Sequence, residues 1–168
     1  PTDAWYAEAV AYCQQQGIMN GTSATTFAPE GTLTRAMLVT ILWRQAERPV
    51  GNAPMNFSDV PEGQWYSEAV RWAASEKLIF GYGDGRFGTD DPITQEQLRL
   101  IFQRCTDQPV TDGIPGFDGG AKYATRAQAA AAVMRYARLT QPGVVGGKVL
   151  VAYFSATNTT RPLAKYAA

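Results

Sequence analysis

Apolar residues recur at helical spacing in several separate stretches, the clearest beginning at Trp65. Trp65, Ala69, Trp72 and Ala73 fall at i, i+4, i+7 and i+8, which predicts an amphipathic helix over 65–77. Leu78-Ile79-Phe80-Gly81 ends it, and Gly81-Tyr82-Gly83-Asp84-Gly85 reads as a turn-rich connector. Thr94 then opens a second helix, with Leu98, Ile101 and Phe102 on one face. Leu38, Ile41 and Leu42 form the matching face after Thr34, and Ala129, Ala132, Val133 and Tyr136 form one after Thr125. Beyond residue 141 the pattern changes. A Gly/Pro-containing linker at 141–147 leads into Lys148-Val149-Leu150-Val151-Ala152-Tyr153-Phe154, nearly continuous and β-prone, as central parallel strands are. A polar turn over 155–160 and a helix start over 161–168, with Pro162 in its first turn, complete the chain.

The helical stretches are copies of one another. Pro1, Trp5-Tyr6 and Glu8-Ala9-Val10 recur at an offset of 60 as Pro61, Trp65-Tyr66 and Glu68-Ala69-Val70. Gly21, Phe27 and Thr34 recur as Gly81, Phe87 and Thr94 without an insertion. A unit of this size cannot bury its apolar face alone, so the copies must pack on one another. A third copy is shortened: Phe117 stands eight positions before Thr125, against 37 between Phe57 and Thr94. It has lost its first helix and loop. The expected division is copy one at 1–50, copy two at 51–108, a degenerate copy three at 109–140, the linker, and the start of an α/β domain at 148–168. The counterparts of Phe57-Ser58-Asp59-Val60 would precede Pro1, so the chain reads as beginning inside a motif.

Composition narrows the chemistry. Fifteen basic and fifteen acidic residues balance, which argues against nucleic acid or an anionic membrane as the main partner. No stretch approaches the ~20 apolar residues of a membrane span. Histidine is absent, removing the usual general base and commonest metal ligand. Nothing points to an enzyme. Of the two cysteines, Cys13 aligns with Ala73 as a small core residue and Cys105 lies at a helix end, in no metal or redox spacing.

The second helix of each copy opens on a capping threonine. Thr94…Gln97 and Thr125…Gln128 also satisfy capping-box spacing, whereas Met37 cannot reach back to Thr34. Arg35 and Arg126 follow the threonines in copies one and three, where a helix disfavours a cation by ~0.3–1 kcal/mol. A small anion held by free helix N–H groups and a guanidinium fork would reverse that sign. The alternative is an outward arginine paired with Asp59 or Glu30 and no ligand. Gln95 replaces the arginine in copy two, making that position neutral. Trp5 and Trp65 likewise have two readings: core residues, or faces for a sugar ring in a groove between copies.

Taken together, Phe57-Ser58-Asp59-Val60, Trp65-Tyr66, Gly81 to Phe87, Ile93-Thr94 and the two Thr-Arg-Ala runs resemble the S-layer homology family over residues 1 to about 140. The resemblance implies a mainly α fold of helix-loop-helix repeats in a pseudo-threefold bundle, the third truncated. It also implies a secreted, cell-surface module that anchors proteins by binding a secondary cell-wall polysaccharide, typically pyruvylated. The residues it singles out for the polysaccharide are Arg35, Arg126, Asp59 and Trp65, with Trp5 and Gly81 beside them. Gln95 and the shortened third copy reduce the intact grooves to at most two, and an upstream segment, the C-terminal stub or a second chain is expected to fill the space left by the lost first helix. The tail is similar to the first strand and phosphate loop of flavodoxins. That likeness implies Ser155, Thr157, Asn158, Thr159 and Thr160 around the phosphate of FMN in a longer protein, with no flavin held by this piece. The alternative function is therefore a tether for a flavodoxin-like electron-transfer domain.

Overall fold

A computed structural model describes residues 3–140. Five helices account for its regular structure: α1 (Ala7–Gln15), α2 (Arg35–Gln45), α3 (Ser67–Ser75), α4 (Gln95–Cys105) and α5 (Arg126–Thr140). The mainly helical expectation holds. The strand and helix start expected over 148–168 lie outside the described residues.

Apart from Trp65, each predicted apolar face is buried. Leu38, Ile41 and Leu42 of α2, Ala69, Trp72 and Ala73 of α3, and Leu98, Ile101 and Phe102 of α4 join one core cluster. Helix α5 is central and alanine-rich, with Ala129 to Ala132 all buried. Small side chains let α1 approach closely, and the Cys13 thiol reaches the Ala130 carbonyl at 3.7 Å. The helix expected over 65–77 is shorter, because Tyr66 is its N-cap and Lys77 turns left-handed at φ 57°. Gly17 does the same for α1 at φ 64°.

Between α4 and α5 the described chain forms no helix, in keeping with the shortened third copy. The gap in the bundle is nevertheless filled from within. Val110 and Ile114 enter the core, and Arg135 holds the segment by donating to the carbonyls of Val110 and Asp112. An outside segment is not needed to cover this part of α5.

Three short extended segments tie the copies together just before α2, α4 and α5. Leu33 N–H donates to Ala124 O at 3.1 Å, Ala124 N–H to Ile93 O at 2.8 Å, and Ile93 N–H to Leu33 O at 2.9 Å. Each gives one hydrogen bond and takes one, so the three close on themselves. Their side chains are fully buried, which places the ring inside the core.

Candidate functional site

The three helix starts that follow the ring are wired alike. Arg35 and Ala36 N–H donate to the carbonyls of Asp91 and Thr89, Gln95 and Glu96 to Lys122 and Gly120, and Arg126 and Ala127 to Gly31 and Pro29. The next N–H goes to the capping threonine: Met37 to Thr34, Gln97 to Thr94 and Gln128 to Thr125. Gln97 and Gln128 complete the expected capping boxes by accepting from Thr94 and Thr125 N–H. An anion held by free helix N–H groups is therefore ruled out. The neighbouring copy and the cap have already taken those donors.

The arginines reach away from their own helices into the next copy. Arg35 donates through Nε to Phe87 O at 2.9 Å and through Nη2 to Phe80 O at 2.6 Å. Arg126 repeats this 60 residues back, to Phe27 O at 2.9 Å and Asn20 O at 2.7 Å. Rings back both cations, Tyr82 and Phe87 at 4.9 Å from Arg35 and Phe27 at 4.7 Å from Arg126. Carbonyl oxygens and ring faces thus offset the unfavourable helix end.

Neither arginine forms an ion pair among the described residues, so the proposed partners Asp59 and Glu30 do not serve. Only 5% of Arg35 and 8% of Arg126 is exposed. Burial pulls both guanidinium groups below their ordinary pKa, opposed at Arg35 by Tyr82, Asp91 and Asp59. Each Nη1 makes no hydrogen bond among the described residues. Two positive charges are thus buried with no ion pair among the described residues.

Gln95 has a different task, which composition did not reveal. Its Nε2 donates to Gly116 O and Gln128 Oε1, while Oε1 accepts from Asp118 and Gly119 N–H. The short third-copy loop offers a carbonyl and two N–H groups together. An amide answers both; a guanidinium only donates.

The other candidates separate. Asp59 accepts from Phe87 N–H and Gly88 N–H, each at 2.7 Å, pinning the copy-two loop. Burial raises its pKa, but the backbone donors outweigh that and hold it below the usual carboxylate value. Gly81 lies under the Phe57 ring, where a β-carbon would sit 2.6 Å from Cε1. Trp5 and Trp65 are not core residues. They are 44% and 55% exposed, each edge-on to the tyrosine that follows it. The buried tryptophan is Trp72. Trp5 lines a cleft of about 410 Å³ together with Gln95, Gln128, Lys122, Tyr123 and Glu30. Tyr123, 58% exposed, was missed because nothing in copies one and two marks that position. Ser155, Thr157, Asn158, Thr159 and Thr160 lie outside the described residues.

The family model for the S-layer homology domain matches residues 1–36 and 56–98. These segments belong to the S-layer homology family. A surface-layer 125 kDa protein of Lysinibacillus sphaericus is 30% identical over 120 residues, covering 69% of this chain and 10% of that protein. An amylopullulanase of Thermoanaerobacterium thermosulfurigenes is 29% identical over 104 residues, 61% of this chain and 6% of the enzyme. The outer membrane protein SlpA of Thermus thermophilus is 40% identical over 52 residues, 31% of this chain and 6% of that protein. The chain spans about a tenth or less of the length of these relatives.

Proposed function

We propose that this chain is a non-catalytic cell-surface anchoring module that binds an acidic wall polysaccharide. Relatives named as surface-layer, outer-membrane and polysaccharide-degrading proteins support the anchoring role. The finer reading rests on one observation: Arg35 and Arg126 are buried cations that form no ion pair, and whose Nη1 makes no hydrogen bond, among the described residues. A carboxylate on a sugar, such as a pyruvyl ketal, would complete that charge by a charge-assisted hydrogen bond.

The repeat relation extends the site. Trp5 and Gln95 line one cleft, and by the repeat their counterparts are Trp65 and Arg126, which would give a second groove both a cation and a ring. Arg35 has no such tryptophan, because copy three lacks its first helix. A pseudo-threefold axis through the Leu33–Ile93–Ala124 ring relates the three grooves.

The test is co-sedimentation with bacterial wall that carries, or has been stripped of, its pyruvyl groups. Retention should depend on the ketal. Arg35→Gln with Arg126→Gln, the residue type that copy two already carries at Gln95, should weaken it by roughly tenfold or more while helicity stays constant. Equal retention on both wall preparations would overturn the reading.

A further inference from the structure

We propose that the cleft beside Gln95 is a separate glycan site, built for an uncharged sugar. The inference rests on the module being a glycan binder and goes beyond it in the charge of the ligand. The cleft holds about 410 Å³, within the range of small-ligand sites. Its aromatic wall is Trp5 and Tyr123, whose rings are 44% and 58% exposed. Such rings offer an apolar face to the C–H side of a pyranose and leave its hydroxyls to polar neighbours. Its floor is Gln95 and Gln128, only 2% and 4% exposed, whose amides are already engaged with each other and with neighbouring main chain, so the floor is neutral and the polar groups left to a sugar are those of the rim.

Charge sets this cleft apart from the arginine positions. Where Arg35 and Arg126 bury a cation, Gln95 buries a neutral amide. Lys122 is the lining cation, and it is already paired with Asp118 at 2.9 Å. Glu30 adds a negative charge to the same wall. A carboxylate entering here meets no uncommitted cation and one carboxylate of its own sign, so an acidic sugar is disfavoured and a neutral one is not.

The test uses the full chain, isotopically labelled, titrated with a methyl hexoside with and without a 4,6-pyruvyl ketal. The unketalised glycoside should shift the Trp5 indole N–H and the amides of Lys122 to Thr125. Trp5→Ala, at an exposed position, should weaken that response by roughly tenfold without loss of the dispersed spectrum. Tyr123→Ala should weaken it as well. The ketalised form should instead shift Asn20, Phe27, Phe80 and Phe87, whose carbonyls hold the arginines. No response to the neutral glycoside, or one unchanged in Trp5→Ala and Tyr123→Ala, overturns this inference. Silence around both arginines with the ketalised form overturns the anionic reading instead, so the two failures are told apart.

Discussion

Lys77 and Gly17 occupy the same place in their copies, two residues past the end of the first helix, and both are left-handed. Leu78 N–H closes onto Ala73 O and Ile18 N–H onto Cys13 O, so the two helix ends are built alike. A β-carbon makes that backbone unfavourable by roughly 1 kcal/mol. Lys77→Gly should therefore stabilise the fold by about 0.5–1 kcal/mol, seen as a higher urea midpoint at unchanged slope. Asp59 acts in the opposite direction on acidification. Its pKa is depressed, so the stability it contributes is present above the ordinary value of 3.8 and is lost as pH falls through the folded value. The melting-temperature gap between wild type and Asp59→Asn should be largest near neutrality and close below pH 3.8.

At the scale of elements, local signals were legible and distant ones were not. The threonine caps, both capping boxes and the apolar faces of α2, α3 and α4 depend on residues three or four apart, and all are present as read. The arginine partners could not be read, since they are main-chain carbonyls 45 to 106 residues away, which no side-chain pattern marks. Trp5 and Trp65 misled in part because they sit before the first helical turn, outside the face that their spacing continues. Gln95 looked like a weakened arginine, yet it is matched to the loop at 116–119. Gln95→Ala should cost ~2–3 kcal/mol, by stranding loop donors and an acceptor, in chemical denaturation. Gln95→Arg should destabilise too, because it cannot accept from Asp118 and Gly119 N–H.

Across the described residues one core serves all three copies, so unfolding of this part should be a single transition by both fluorescence and circular dichroism. Alkaline conditions probe that core. Burial pushes the Cys13 thiol up to about 12, and it does the same at Cys105 against the nearby Arg104, while Tyr136 is raised by burial and by Cys105. Unfolded thiols ionise near 9.0, so stability is full below that pH and is lost as pH climbs toward 12. The melting temperature should fall across that window, and Cys13→Ala with Cys105→Ala should flatten the fall. The Cys13 thiol, fully buried, should resist thiol reagents at pH 8 until the chain unfolds.

The circuit through Leu33, Ala124 and Ile93 also fixes how such a module can grow. An open stack of repeats always presents another edge for a newcomer, but a loop of mutual donors and acceptors has none. A duplicated fourth unit would find no carbonyl waiting and no amide to spare. Tighter attachment to a surface must then come from appending a complete second trio, not from lengthening this one.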